Sequence, residues 1–136
     1  MLTILSPSKT QDFSLLSGVA SSYPRQINQT NQLMVLMQKM SKPKLAELMS
    51  LSETLSEQTY KKTQNYEFKD NPKNTKQALF AFKGEAFNHI NAKSFSSTNL
   101  IFAQSHLRII SGLYGVLRPL DLIQSYRLEM ASKLAN

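Results

Sequence analysis

The chain changes character at Ile109-Ile110-Ser111-Gly112-Leu113-Tyr114-Gly115-Val116-Leu117-Arg118-Pro119-Leu120-Asp121, where the apolar residues have no helical spacing. Two of the chain's four glycines, Gly112 and Gly115, lie here among apolar residues, a pattern typical of a tight turn or hairpin. Three of its four arginines, Arg108, Arg118 and Arg127, lie in or beside the same stretch. Backbone freedom and guanidinium groups in one place predict a functional site around this turn.

A second polar loop follows a short apolar run at the start of the sequence. Leu2-Thr3-Ile4-Leu5 predicts a buried strand, and Ser6-Pro7-Ser8-Lys9-Thr10 ends it. Ser6, Ser8, Lys9 and Thr10 could present hydroxyls, backbone N–H groups and an ammonium to an anion. A polar loop that only ends a strand would have the same residues, so an anion-binding loop and a purely structural junction both stay open.

Helical spacing dominates the sequence between these two loops. It predicts helices over 30–40, capped at Asn28 or Thr30, over 43–60, over 75–90 with a break at Gly84, and behind a cap at Ser97 or Thr98. Methionines and leucines at 34–49 indicate core, and Asp70-Asn71-Pro72 indicates a turn. The fold class is therefore α/β, with mixed α+β as the alternative: a helix-rich chain with a short N-terminal strand and a glycine hairpin.

Composition excludes several classes of protein. The chain has 136 residues, enough for a single domain over 1–136, and it has no cysteine for a disulfide, a thiol nucleophile or a Cys-ligated metal. Two histidines give no convincing ligand set, so we predict no metal, no cofactor and no catalytic group. No apolar run approaches the roughly 20 residues that span a bilayer. We expect a cytoplasmic protein without a membrane partner.

The charge of the chain points towards phosphate-rich partners. Sixteen Lys and Arg face nine Asp and Glu, a net charge of +7. Such a balance gives sequence-independent affinity for a polyanion, although it also serves solubility alone. The hairpin fits the first interpretation if Gly112 and Gly115 bring backbone N–H groups to a nucleic-acid phosphate beside Arg108 and Arg118. It fits a purely structural turn if one or both glycines need a positive φ.

Three blocks carry a family likeness, in order along the whole chain: Ser6–Thr10, Ala81-Phe82-Lys83-Gly84, and His106–Asp121 followed by Tyr126-Arg127-Leu128-Glu129-Met130. Together they resemble the YaaA family of bacterial peroxide-stress resistance proteins. The resemblance implies a cytosolic, peroxide-inducible protein that lowers available intracellular iron. It also implies DNA binding through a basic cleft and a helix-hairpin-helix element in an unusual α/β fold, with Gly112–Gly115 as the candidate hairpin, and it implies no enzymatic activity. Family members are about twice as long, so the chain resembles the N-terminal half.

The leading prediction is a DNA-binding protein of peroxide-stress protection. It contacts double-stranded or structured DNA, without sequence preference, through Lys9, Lys83, Arg108, Gly112, Gly115, Arg118 and Arg127. The alternative is an enzyme for a small phosphorylated or anionic substrate, bound between the Ser6–Thr10 loop and the Arg108–Arg127 block. Arg127 also has a local interpretation, as an ion pair with Glu129.

Overall fold

The computed structural model describes residues 1–69 and 72–128, which form a mixed α/β fold, as predicted. Their helices are α1 (Ile27–Gln38), α2 (Lys42–Met49), α3 (Glu53–Asn65), α4 (Ala78–Ala81), α5 (Glu85–Ile90) and α6 (Ser97–His106), with a 3-10 turn at Ala92–Ser94. Their strands are β1 (Thr3–Leu5), β2 (Thr10–Gln11), β3 (Thr75–Gln77), β4 (Phe82–Lys83), β5 (Leu107–Ser111), β6 (Gly115–Leu117) and β7 (Leu122–Gln124). The predicted turn at 70–72 and the Arg127–Glu129 pair involve residues outside the described ranges.

The stretch from Ile109 forms the centre of the largest sheet, whose order is β1-β5-β6. β1 runs parallel to β5, with Ile4 opposite Arg108, and β6 runs antiparallel to β5, with Ile109 opposite Leu117. β1 is therefore a strand, as predicted, but the expectation that it is buried was wrong. Ile4 is 63% exposed, because β1 pairs on one side only within the described part of the chain.

The first two helical predictions need correction at their ends. α1 begins after Gln26, and neither Asn28 nor Thr30 caps it. Thr30 lies inside the helix, where its buried hydroxyl hydrogen-bonds to the carbonyls of Gln26 (3.1 Å) and Leu113 (3.0 Å) and so ties α1 to the hairpin. The predicted helix over 43–60 is two helices. Ser50 turns left-handed at φ 54°, and the hydroxyl of Ser52 caps α3 by accepting from the next turn's backbone.

The predicted helix over 75–90 is the least accurate part of the sequence analysis. It consists of β3, α4, β4 and α5, separated before α5 by Gly84 as predicted. β3 pairs with β7, and β4 pairs with β2. These partners lie far away in sequence, so helical spacing of apolar residues cannot reveal them. The cap of α6 is Ser96, one residue before the first predicted cap, and it forms a capping box with Asn99.

The core joins the helices to the glycine hairpin. The methionine and leucine side chains of α1 and α2 are buried as predicted, at Met34, Met37, Leu45 and Met49. They belong to the same apolar cluster as Phe82 and the hairpin's neighbours Ile109, Leu113, Tyr114 and Leu117. No helix among the described residues has the length and apolar character needed to cross a membrane.

Candidate functional site

The Gly112–Gly115 turn joins two strands, β5 and β6, and is a β-hairpin. The prediction that it forms the turn of a helix-hairpin-helix element is therefore corrected, since no helix flanks it directly. Gly115 has φ +72°, the left-handed conformation that glycine adopts without strain. Gly112 is not among the described residues that have a positive φ. Of the two glycines, Gly115 is the one that the turn geometry requires.

Most N–H groups of this hairpin bond within the protein. Those of Leu113 and Tyr114 donate to the Ser111 hydroxyl, at 3.2 and 3.0 Å. That of Val116 donates to Oε1 of Gln26 at 2.8 Å, and a Cβ on Gly115 would overlap the same amide. The hairpin is thus closed by side chains from its own strand and from the start of α1. Close approach of Gly112 and Gly115 to a DNA backbone stays a prediction.

Two of the three candidate arginines bind backbone carbonyls and a buried carboxylate. Arg108 donates from Nη1 to the carbonyls of Gln104 (2.7 Å) and Leu107 (2.8 Å), at the end of α6. Arg118 donates from Nη2 to the Tyr23 carbonyl at 2.8 Å and forms an ion pair of 3.0 Å with Asp121. The guanidinium groups of both residues therefore hold the fold together around the hairpin.

Arg127 differs from the other two arginines. Its Nε is buried and has no hydrogen-bond partner in the part of the chain that the structure describes. Burial lowers the pKa of Lys62, and the neighbouring charge of Arg127 lowers it further. An unpartnered guanidinium nitrogen beside an ammonium creates positive potential that an anion would relieve.

The Ser6–Thr10 loop lies against the Ala81–Gly84 segment. Pairing of β2 with β4 sets Thr10 opposite Lys83. The Ser8 hydroxyl accepts a hydrogen bond from the backbone N–H of Thr10 at 3.2 Å. Gly84, at φ +139°, leaves room for it, since a Cβ there would lie 3.1 Å from the Ser8 hydroxyl. Ser6, Lys9 and Thr10 are exposed, so two blocks that are distant in sequence share one surface.

Lys76 and Lys83 lie near Asp12 beside this loop, and Lys93 lies near Lys76; we call these three residues the lysine cluster. Lys83 Nζ lies 3.8 Å from Asp12, and Lys76 is 5% exposed. Burial lowers the pKa of Lys76; Asp12 opposes that effect, and Lys83 and Lys93 add to it. Hydrogen bonds from Ser14 hold the pKa of Asp12 below its usual value, with help from the lysines. Sequence analysis did not select Lys76 or Lys93 as site residues, because the fold brings together segments that are distant from the Ser6–Thr10 loop in sequence.

Tyr126 connects the three blocks of sequence. Its N–H donates to Oε1 of Gln11 (3.2 Å), and its hydroxyl hydrogen-bonds to that of Ser111 (2.6 Å). Its ring packs edge-on against Phe82 and Tyr114. Burial raises the pKa of Tyr126 to about 12, so the phenol stays neutral at physiological pH. The segments that follow β1, α4 and β7 therefore meet at one residue.

Comparison with known proteins gives one family for the whole chain. The sequence model of the family described as peroxide stress protein YaaA matches residues 1–136. The chain belongs to the YaaA family. A UPF0246 protein of Acaryochloris marina is 45% identical over 134 residues, which are 98% of this chain and 53% of that relative. The chain thus spans about half the length of the curated relative it matches.

The family name links this YaaA-family chain to peroxide stress and names no ligand or partner. Within residues 1–69 and 72–128, no three His, Cys, Asp or Glu side chains are grouped as metal ligands would be. The chemically distinctive features of the site are therefore cationic. They are the lysine cluster with Lys9, and Arg127 with Lys62.

Proposed function

We propose that this chain serves in protection against peroxide stress in the cytoplasm, and that it binds double-stranded or structured DNA without sequence preference. We further propose that the protection involves a lowering of available intracellular iron. The observation that carries the DNA-binding proposal is the gathering of the lysine cluster beside the exposed Lys9 of the Ser6–Thr10 loop. Phosphate groups bind such a surface through ammonium groups, and the released counterions supply the affinity.

The charge of the lysine cluster is only partly compensated. Among the described residues, Asp12 is the carboxylate that acts on Lys76, against the like charges of Lys83 and Lys93. Desolvation of the buried Lys76 disfavours its charged form, so a second anion at this place would be stabilised. A DNA phosphate meets that need without any contact to the bases, which agrees with binding of any sequence.

The residues predicted to contact DNA differ in the bonds within the fold that each would have to break to bind a phosphate. Arg108 and Arg118 already bind carbonyls and Asp121, so phosphate contacts by them would break bonds within the fold. Lys83 lies 3.8 Å from its carboxylate partner, a long separation for an ion pair. We therefore assign the phosphate contacts first to Lys83, together with Lys9 on the exposed loop beside it.

The test is duplex DNA binding measured over a range of salt concentrations, with Lys83→Ala and with Lys44→Ala as a control. Lys44 is an exposed lysine on α2. The wild-type log K should fall with log salt at a slope of about −0.9 per phosphate neutralised. Lys83→Ala should make that slope shallower by about 1, equally for different sequences, while Lys44→Ala leaves it unchanged. Affinity that does not change with salt, or equal effects of the two substitutions, would contradict the proposal.

A further inference from the structure

Two adjoining cavities lie away from the lysine cluster, between α1, the segment after α3, and the β3–β7 pair. The larger has a volume of about 510 Å³ and aromatic walls: Tyr23, Tyr66, Phe68 and Tyr114. Asn28 and Asn31 of α1 supply carboxamide groups. Among the described lining residues the charges cancel, because Lys69 pairs with Glu67 at 2.8 Å. Such a cavity suits a neutral, planar ring that carries hydrogen-bonding groups.

The smaller cavity has a volume of about 220 Å³ and is basic. Lys61, Lys62 and Lys73 line it, and it shares the walls Tyr66, Glu67 and Gln124 with the larger cavity. The two cavities are therefore neighbours that border on the same three residues. The volume of the larger cavity falls within the range of about 300–1,000 Å³ that is usual for small-molecule sites.

The positive charge of the smaller cavity exceeds its negative charge. The carboxylate of Glu67 pairs with Lys69 and also accepts from the backbone N–H of Lys73, at 3.3 Å. Next to Lys62 lies Arg127, whose buried Nε has no partner within the described residues. The smaller cavity thus attracts an anionic group, while the larger one attracts an uncharged ring.

We propose that these cavities form a nucleotide site, with the base in the larger cavity and the phosphate in the smaller one. The Tyr66 hydroxyl donates to Oδ1 of Asn31 at 2.9 Å, which leaves the amide nitrogen of Asn31 to donate to a base. Asn28 lines the same cavity, and its side chain is exposed. In this proposal the sugar lies over Tyr66, Glu67 and Gln124, which line both cavities. The nucleotide is either free or an unpaired unit of a DNA strand, and none of these residues belongs to the lysine cluster.

Isothermal titration calorimetry with adenosine 5′-monophosphate, adenosine and inorganic phosphate tests the two-part site. The monophosphate should bind at least tenfold more tightly than adenosine or phosphate, because only it fills both cavities. Equal affinity for phosphate and the monophosphate would reduce the site to an anion site and overturn the proposal. Absence of monophosphate binding would overturn it as well.

Substitutions separate the two halves of the site. Phe68, 42% exposed, can be changed without opening the core. Phe68→Ala should weaken binding of both adenosine and its monophosphate about tenfold, and Phe68→Tyr should retain it, since base stacking needs only an aromatic face. Lys62→Ala should weaken binding of the monophosphate alone. Lys44→Ala is the matched control, and unchanged thermal unfolding confirms that each variant is folded. Equal losses for Lys62→Ala and Lys44→Ala would contradict the assignment.

Displacement of the bound monophosphate by DNA identifies the source of the nucleotide. It also tests whether this site is separate from the proposed duplex-binding surface. If single-stranded DNA displaces the monophosphate and duplex DNA does not, the ligand is an unpaired unit of a strand. If neither displaces it, the ligand is a free nucleotide. Lys83→Ala should weaken duplex binding and leave monophosphate affinity unchanged, so either proposal can fail while the other stands. Displacement by duplex DNA that Lys83→Ala abolishes would contradict a separate nucleotide site.

Discussion

Asp121 is completely buried and holds four hydrogen-bond donors around its carboxylate. Arg118 donates from its backbone N–H to Oδ2 (2.8 Å) and from Nε to Oδ1 (3.2 Å), and its Nη2 lies 3.0 Å from Oδ1. The Ser22 hydroxyl donates to Oδ1 at 2.7 Å. A buried carboxylate of this kind depends on its counter-charge, because an unpaired charge in the interior is strongly destabilising. Arg118 therefore has a structural partner that a phosphate would have to replace.

Replacing Arg118 by alanine should lower the free energy of unfolding by about 3 kcal/mol, the lower end of the range for breaking a buried pair. The lower end applies because Asp121 keeps its bonds to Ser22 and to the backbone, and because the side chain of Arg118 is 19% exposed. Urea denaturation beside Arg25→Ala, an exposed arginine, measures this loss. An Arg118→Ala protein of normal stability whose DNA salt slope falls by about 1 would make Arg118 a phosphate contact instead.

Among the elements, the β5–β6 hairpin depends on one glycine more than on the other. Gly115 has a positive φ and lies against the Gln26 amide, which accepts from the N–H of Val116. Gly112 does not have a positive φ, and no contact with Gln26 is described for it. Both the conformation of the hairpin and its contact with the start of α1 therefore depend on Gly115.

We expect Gly115→Ala to lower the free energy of unfolding by about 2–3 kcal/mol. A left-handed alanine costs about 1–2 kcal/mol, and displacement of the Gln26 amide loses a hydrogen bond of about 1 kcal/mol. Gly112→Ala should change stability by less than about 1 kcal/mol, because its φ is not positive. Thermal and urea unfolding of the two variants check this order, and equal losses would contradict it.

Local sequence signals predicted the elements whose structure depends on neighbours in the chain. The spacing of Met34, Met37 and Leu45 predicted buried helix faces correctly, and the glycine turn was recognised before its flanking strands. β3 and β4 were missed, because their extended conformation depends on pairing with distant segments. β4 pairs with β2, where Thr10 lies opposite Lys83, 73 residues away, and β3 pairs with β7. Lys76 lies near Asp12 through the tertiary fold, so no local motif could have indicated it.

The site was predicted in part. The Ser6–Thr10 loop, Lys83 and Arg127 lie where cationic groups gather, whereas the guanidinium groups of Arg108 and Arg118 bind inside the fold. Arg108 and Arg118 were predicted as site residues because they lie close in sequence to the glycines of the hairpin. Their actual roles depend on carbonyl and carboxylate partners at the end of α6 and near Ser22, which the sequence around the turn does not contain.

At the scale of the whole molecule, apolar surface is exposed on both faces of β1. A groove of about 530 Å³ lies between β1 and α6, with Leu5, Phe95, Phe102 and Leu107 in its lining. Phe102 is 64% exposed there, and Leu2 and Ile4 are 55% and 63% exposed. Surface of this kind favours association, and an edge strand such as β1 offers unpaired backbone groups to a second chain.

The 136-residue chain should therefore self-associate through β1 and the groove, with an average mass that rises with concentration in sedimentation equilibrium. The double variant Ile4→Lys, Phe102→Lys should stay monomeric over the same range, because ammonium groups on the strand edge and in the groove resist burial. Val35→Lys, at a 42% exposed apolar position on α1, is the matched control and should associate like the wild type. A wild-type chain that remains monomeric at every concentration would show that the exposed apolar surface around β1 is not an association surface. Association that persists in the double variant but disappears in Val35→Lys would place the contact on α1.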